Sequence, residues 1–175
     1  MKEKKKIMFL TGDGINCERR MPSCRPQEPT RGHQIIAALE AEFDVTVITQ
    51  NGGDYHQRAG SKNVMYLHSE DINSDVWWQA LKATDKADWF VLVGSPLFVR
   101  SAVSLLAALP AKTHLVIIDP KEVTLPPQCY HGYTYIPEPA DEGLYHFVEM
   151  LARYERCNKW LENYLRNGTV GAGCF

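Results

Sequence analysis

Short runs of apolar residues alternate along this chain with segments in which apolar residues recur every three or four positions. The runs predict buried β-strands, because they are brief and bounded by polar residues or glycine. They are KIMFL (6–10), VTVIT (45–49), VMYLH (64–68), WFVLVG (89–94), HLVIID (114–119) and the more exposed YTYI (133–136). WFVLVG is apolar throughout, which is typical of a strand covered on both faces of a sheet.

Helical spacing is found in four segments, at residues 32–43, 74–83, 101–109 and 141–166. In the first segment Ile35, Ile36, Leu39 and Phe43 fall on one face, and Thr30 precedes it as the predicted N-cap. The last segment is predicted to be one long helix. Its aromatic stripe is interpreted as core or as a dimer surface.

The alternation of strands and helices with short connections predicts an α/β fold. We expect a doubly wound, parallel, Rossmann-like sheet that forms a single domain over residues 1–175. Its core is expected at about residues 6–150, with the C-terminal helix and tail at 141–175. Ligands of such sheets bind at the carboxyl ends of the strands, where the strand order switches.

Composition and charge exclude several classes of partner. The formal net charge is −2, from 19 basic and 21 acidic residues, which argues against non-specific binding to nucleic acid. No apolar stretch approaches the roughly 18 residues of a membrane span. We therefore expect a cytoplasmic protein that binds neither nucleic acid nor membrane. Five cysteines without a CxxC pair predict reduced thiols and no zinc or other metal site.

The first candidate for chemistry is the pair Gly12 and Gly14, which directly follows the first strand. Two interpretations stay open, a tight turn and a nucleotide site in which backbone N–H groups approach a phosphate. Asp13 between them would repel a pyrophosphate unless it faced a ribose hydroxyl.

Five longer sequence patterns allow a comparison with known protein families. They are GDGINCERRMPSCR (12–25), TQNGGDYHQRAG (49–60), YLHSE (66–70), VGSPLFV (93–99) and IIDP (117–120). The first resembles the sirtuin GAGxS signature that closes on Pro-x-Phe-Arg, and the second resembles the sirtuin TQNIDxLHxxAG segment. The remaining three follow in the order and spacing of that family. The resemblance covers roughly residues 6–150.

The resemblance to sirtuins implies NAD or ADP-ribose as the ligand and a sirtuin-type large domain as the fold. It implies that Gly12, Asp13, Gly14, Arg25, Gln50, Asn51, Gly94 and Ser95 bind the cofactor. Within this set, Gln50 and Asn51 are expected at the ribose and nicotinamide, and Gly94 and Ser95 at the adenosine half. His68 is expected to act as the general base on a ribose hydroxyl, and an imidazole suits that task near neutral pH.

The chain also departs from the family pattern. Gly53 stands where sirtuins have the Asp of their QNID element, and Pro96 and Ile117 replace further polar residues. The segment after His68 is too short for the four-cysteine zinc module and the peptide-clamping loop.

Three functions therefore stay open. The first is an NAD- or ADP-ribose-binding domain with residual NAD-cleaving or deacylase-type activity. The second is an inactive scaffold that binds a protein partner or forms a homodimer, and the third is an enzyme acting on another nucleotide. Asp119, at a strand end, is interpreted as a ribose acceptor or a helix cap.

Overall fold

The computed structural model describes residues 3–16, 28–68, 74–95, 97, 100–125, 127, 132–155 and 159–167. The strands are β1 (Lys6–Thr11), β2 (Asp44–Thr49), β3 (Val64–Tyr66), β4 (Trp89–Val93), β5 (His114–Ile118) and β6 (Tyr133–Ile136). The α-helices are α1 (Arg31–Leu39), α2 (Tyr55–Arg58), α3 (Asp75–Thr84), α4 (Arg100–Ala107), α5 (Ala140–Tyr154) and α6 (Lys159–Asn167). A short 3-10 helix, Asp13–Asn16, follows β1.

The six strands form one sheet in the order β3-β2-β1-β4-β5-β6. Every neighbouring pair is parallel. The order reverses direction between β1 and β4, which makes this junction the topological switch point where such sheets bind ligands. The prediction of a doubly wound, parallel α/β sheet is confirmed.

The sheet is covered on both faces because successive side chains of a strand point to opposite sides. On one face Phe9, Val91 and Val116 pack with residues of α1, α5 and α6. On the other face Leu10 and Phe90 pack with residues of α3 and α4. This arrangement explains why the central strands are apolar throughout.

The prediction of one helix over residues 141–166 is wrong. Helix α5 ends at Tyr154, and Glu155 caps it by donating its backbone N–H to the carbonyl oxygen of Leu151, 2.8 Å away. Helix α6 begins only at Lys159. The apolar spacing continues across the break because both helices bury side chains in the same core cluster.

Two other boundaries differ from the sequence prediction. Helix α1 ends at Leu39 instead of residue 43, and the Lys4 ammonium donates to the carbonyl oxygens of Glu40 and Ala41 just beyond its end. Strand β3 ends at Tyr66, two residues before His68. Helix α2 was not predicted, because four residues are too few to show helical spacing.

Several residues named from the sequence lie outside the described residues. They are Arg25, Pro96, all five cysteines and most of the tail after 166. Within the described ranges, no helix is long and apolar enough to cross a membrane.

Candidate functional site

The carboxyl ends of β1, β2 and β4 meet at the switch point of the sheet. We call this region the switch-point crevice and define it by Gly12, Gly14, Gln50, Asn51, Gly94 and Ser95. Parallel strands bring these residues to one edge, since Thr11 is in register with both Thr49 and Val93. Residues from three separate sequence motifs therefore lie side by side.

The glycines of the crevice allow two backbone segments to approach very closely. The N–H of Gly12 donates to the carbonyl oxygen of Val93 at 3.0 Å, and the N–H of Gly14 donates to that of Gly94 at 2.9 Å. A Cβ atom on Gly14 would lie 2.5 Å from the Cα of Gly94, whose φ is +56°. Both N–H groups are bonded to β4 and the loop that follows it, which fits the interpretation as a tight turn, and a phosphate at this loop stays a prediction.

Side chains add a second set of bonds across the crevice. The side-chain amide of Asn51 donates to the carbonyl oxygen of Gly12 at 2.8 Å. The hydroxyl of Ser95 donates to the Oε1 atom of Gln50, also at 2.8 Å. The backbone N–H of Gln50 donates to the carbonyl oxygen of Thr11, which extends the β1–β2 ladder beyond the strand. The crevice floor is thus fixed by backbone and side-chain bonds together.

Two polar atoms at the crevice are buried without a hydrogen-bond partner among the described residues. They are the Nε2 atom of Gln50 and the Oδ1 atom of Asn16 at the end of the 3-10 helix. A buried polar group without a partner costs roughly 1 to 3 kcal/mol. A polar ligand that pairs with these atoms would recover that cost.

A layer of two histidines lies beneath the end of β1. The Nε2 atom of His56 is 3.0 Å from the hydroxyl of Thr11, and the rings of His56 and His33 have centroids 4.6 Å apart. The backbone N–H of Thr30 donates to the Nδ1 atom of His33 at 3.2 Å, so Thr30 stands at the start of α1 as predicted.

Burial keeps both rings of this histidine layer neutral. It lowers the pKa of His33 to about 4. It also lowers the pKa of His56 to about 3, with a smaller contribution from the neighbouring charge of His33. The layer therefore supports β1 and α1 through packing and hydrogen bonds between uncharged groups.

The side chain of His68 is exposed at the same edge of the sheet. The residue before it, Leu67, donates its N–H to the carbonyl oxygen of Thr49. The carbonyl oxygen of His68 accepts a hydrogen bond from the hydroxyl of Ser101 in α4 at 3.2 Å. The main chain of His68 is therefore held between β2 and α4 while its imidazole faces solvent.

The sequence and fold match known proteins of one family. Residues 15–74 match the sequence profile of the Sir2 family. A curated NAD-dependent protein deacylase of Bacteroides thetaiotaomicron is 32% identical over 141 residues, which cover 55% of this chain and 60% of that protein. The chain is therefore similar in sequence to proteins of the Sir2 family.

A second curated deacylase, from Helicobacter pylori strain 26695, is 26% identical over 132 residues, covering 53% of this chain and 58% of that protein. This chain therefore spans no more than about 60% of the length of these two relatives. The alignment with the Bacteroides protein has 141 positions but takes up only 55% of a 175-residue chain. It consequently includes stretches of that protein that have no counterpart here.

Solved Sir2 structures share the fold of this chain. The structure of Sir2Af2 bound to a myristoylated histone peptide matches with a TM-score of 0.70 and 23% identity, covering 87% of this chain and 93% of that one. A Sir2 homologue–NAD complex matches with a TM-score of 0.62 and 20% identity, covering 85% of this chain and 91% of that one.

The structure brings together most of the site residues predicted from the sequence. Six of them form the switch-point crevice as defined above, and His68 lies at the same edge of the sheet. Asp13 is exposed in the first turn of the 3-10 helix that follows β1. Arg25 lies outside the described residues, so its place in the site stays a prediction.

Sequence reasoning missed Asn16 and Thr11 as parts of this site. Asn16 is 8% exposed, and its side-chain oxygen is one of the unpaired atoms. Its position in the turn after the glycine pair was the available signal, since Gly12 and Gly14 of that turn are bonded to Val93 and Gly94. Thr11 is the last residue of β1, where an apolar run alone does not reveal a bond to a distant histidine.

Asp119 has a local role that the two interpretations from the sequence did not include. Its Oδ1 atom accepts a hydrogen bond from the backbone N–H of Lys121 at 2.8 Å, which stabilises a turn after β5. The residue therefore caps neither α4 nor α5. Its backbone carbonyl oxygen also accepts a bond from the hydroxyl of Tyr135.

The described residues contain no group of three His, Cys, Asp or Glu side chains placed to hold a metal ion. Because every cysteine lies outside those residues, the expected absence of a zinc site stays a prediction.

Proposed function

We propose that the switch-point crevice binds NAD or ADP-ribose and that the domain has a sirtuin-type, NAD-dependent activity. The observation that carries this proposal is the meeting of three motifs at the switch point with two buried polar atoms left unpaired among the described residues. The match of residues 15–74 to the Sir2 family supports the choice of an adenine dinucleotide over other ligands.

The polar atoms of the crevice suit the hydroxyl groups of a ribose. The Nε2 atom of Gln50 is a hydrogen-bond donor, whereas the Oδ1 atom of Asn16 is an acceptor. A ribose hydroxyl both donates and accepts, so a diol can pair with the two kinds of atom. A phosphate only accepts hydrogen bonds and would leave the Asn16 oxygen unpaired.

We assign the nicotinamide-side ribose to Gln50 and Asn51 and the general base to His68. The imidazole of His68 is exposed. Its carbonyl oxygen accepts a bond from the hydroxyl of Ser101, and the N–H of the preceding Leu67 donates to Thr49. A proton acceptor held in this way can take a proton from a ribose hydroxyl. NAD would supply the bond to nicotinamide that is cleaved, and His68 would take the proton of a ribose hydroxyl.

A scaffold function is the alternative, and the segment after Asn51 favours it. Gly53, with a φ of +107°, stands where the family pattern has an aspartate, and its carbonyl oxygen accepts a bond from the hydroxyl of Tyr66. This turn therefore supplies no carboxylate at that position. On this alternative the domain binds a protein partner or a second copy of itself and has no nucleotide ligand.

Titration of the purified protein with NAD, ADP-ribose and nicotinamide separates the two functions. Ligand at about one hundred times its dissociation constant should raise the free energy of unfolding by about 2.7 kcal/mol, which a thermal-shift assay detects. Binding of NAD or ADP-ribose supports the proposal. If neither nucleotide shifts the unfolding temperature at millimolar concentration, the nucleotide proposal is wrong and the scaffold function is left.

The catalytic part of the proposal is tested with His68→Ala. We expect NAD cleavage by this variant to fall by about a hundredfold or more, because a general base contributes that much to a proton transfer. His146→Ala is the matched control, since His146 is also exposed but lies on α5 and pairs with Glu138. Equal turnover in wild type and His68→Ala would remove His68 from the mechanism.

A further inference from the structure

We infer that Ser95 is a positioning residue that holds the carboxamide of Gln50 by its oxygen and leaves the nitrogen as the donor for a ribose hydroxyl. This inference rests on the proposed function, because it assigns a role within the same crevice. It differs from the expectation that Ser95 contacts the ligand directly.

The hydroxyl of Ser95 is already paired within the protein. Only 1% of the surface of this residue is exposed. Its hydroxyl donates to Oε1 of Gln50 at 2.8 Å. Ser95 can therefore act on a ligand through the position that it gives to the Gln50 side chain.

The bond between Ser95 and Gln50 crosses over the end of the central strand. Gln50 follows β2 and Ser95 follows β4, and these two strands flank β1 in the sheet. The bond therefore joins the two neighbours of β1 above the loop that contains Gly12. It is a side-chain link between the two halves of the sheet at the switch point.

Both ends of this link are fixed by the backbone. The N–H of Gln50 is bonded to the carbonyl oxygen of Thr11, and the loop that carries Ser95 accepts the N–H of Gly14 through Gly94. A Cβ atom on Gly12 would lie 2.8 Å from the Cβ of Ser95, so the serine rests directly against that loop. The link consequently has little freedom to shift.

The carboxamide of Gln50 then has one end paired and one end unpaired. Its oxygen accepts from Ser95, whereas its nitrogen is buried without a partner among the described residues. An amide that is bonded at one end presents the other in a fixed direction. Without the serine hydroxyl, the side chain would lose this anchor and its preferred direction toward the ligand.

The test compares ADP-ribose with ADP, which lacks the second ribose. In Ser95→Ala we expect the affinity for ADP-ribose to fall roughly five- to tenfold, as for one lost hydrogen bond, with the affinity for ADP changed less than about twofold. Isothermal titration calorimetry measures both constants on each protein. The ratio used here is the affinity for ADP-ribose divided by the affinity for ADP. It reports on the second ribose and is insensitive to a general loss of folded protein.

Ser61→Ala is the matched control for removal of a buried serine hydroxyl. Ser61 is 5% exposed, and its hydroxyl has no hydrogen-bond partner among the described residues. We expect this variant to keep the wild-type ratio. Gln50→Ala should lower the ratio as much as Ser95→Ala, and the double variant should lower it no further than Gln50→Ala.

Each other outcome overturns the inference. Equal weakening of ADP and ADP-ribose in Ser95→Ala would show a general structural role, and an unchanged ratio would show no role. If Ser95→Ala does not fold, an unchanged ratio in Gln50→Ala still overturns it. Wild-type protein that binds neither ligand overturns the proposed function as well, whereas wild-type binding with an unchanged ratio in the variants overturns only this inference.

Discussion

The two edges of the sheet are built from different kinds of side chain. At the carboxyl edge, the switch-point crevice consists of glycines, amides and hydroxyls, and two buried polar atoms there have no partner in the described part of the chain. At the amino edge, Trp89 stacks on His114 with ring centroids 4.6 Å apart, and Tyr154 packs edge-on against Trp89 at 5.1 Å.

The amino edge satisfies most of its polar groups within the protein. The carboxylate of Asp88 accepts the backbone N–H of Lys6 at 2.8 Å, and the hydroxyl of Tyr154 is 3.0 Å from Nε2 of His114. The indole N–H of Trp89 lacks a hydrogen-bond partner among the described residues, but aromatic rings surround it. The amino edge is thus mainly aromatic, whereas the carboxyl edge holds the polar groups that the proposed function assigns to a ligand.

The largest effect on stability is expected from Trp89→Ala at the amino edge. The side chain is 3% exposed, and its loss should lower the free energy of unfolding by about 3 to 5 kcal/mol. Urea denaturation measures this change, with Tyr133→Ala as a control on the same edge because Tyr133 is 45% exposed. Folded Trp89→Ala protein should still bind ADP-ribose with an affinity close to that of wild type. A large loss of affinity would show that the two edges are not independent.

A somewhat smaller loss of stability is expected from Gly94→Ala at the carboxyl edge. Its φ of +56° disfavours any side chain, and a Cβ atom would lie 2.5 Å from the Cα of Gly14. We expect about 3 kcal/mol of destabilisation together with loss of ADP-ribose binding.

Gly52→Ala is the control for this change. Gly52 is next to Asn51, and a Cβ atom added to it would have no other atom within 4 Å. Unfolding and calorimetric titration should show wild-type behaviour in this control. If Gly94→Ala kept both stability and affinity, the close approach of the two loops would not matter for the crevice.

Because His33 and His56 are buried in the neutral form, we expect acid to lower the free energy of unfolding. The folded pKa values of His33 and His56 are about 4 and about 3, below the ordinary value of 6.5. The unfolded state therefore binds more protons, so this stability is fully present above pH 6.5 and is lost as the pH falls toward the folded values. Between about pH 7 and pH 5 the two histidines together should cost roughly 2 to 4 kcal/mol.

Urea denaturation at about pH 7, 6 and 5 checks this expectation, and His56→Gln should reduce the slope of stability against pH. Asp141, whose pKa is raised mainly by burial, contributes with the opposite sign, because its folded form binds a proton more readily. A flat stability profile over this range would contradict a neutral, buried histidine pair.

The smallest effect is expected from Asp119→Ala. Its carboxylate is bonded to the N–H of Lys121 within its own turn. Loss of this bond should cost about 0.5 to 1 kcal/mol in urea denaturation, with ADP-ribose affinity close to that of wild type. A large drop in affinity would instead support the interpretation of Asp119 as a ribose acceptor.

The strands and the sheet type follow from local sequence, but the contacts of the site do not. Runs such as WFVLVG reveal a covered strand because burial on both faces requires apolar residues throughout. The break between α5 and α6 is hidden because both helices bury residues in one cluster. The use of the Gly12 and Gly14 N–H groups is also hidden, since their partners lie at the end of β4, far away in the chain.

The motifs around Gly12, Gln50 and His68 nevertheless predict their common edge correctly. Parallel strands place their carboxyl ends together, so residues that follow strands are brought close whatever their separation in the sequence. The link between Ser95 and Gln50 needs side-chain geometry that no pattern contains.

The strand order determines when the switch-point crevice can form during synthesis. The central strand β1 is made before one of its two neighbours, β4, which begins only at Trp89. The backbone N–H groups of Gly12 and Gly14 therefore have no hydrogen-bond acceptors until Val93 and Gly94 have been made. Such long-range closure is slow compared with local helix formation. A nascent chain that ends before Ser95 contains the motifs around Gly12, Gln50 and His68. It lacks the residue after β4 that completes the switch-point crevice.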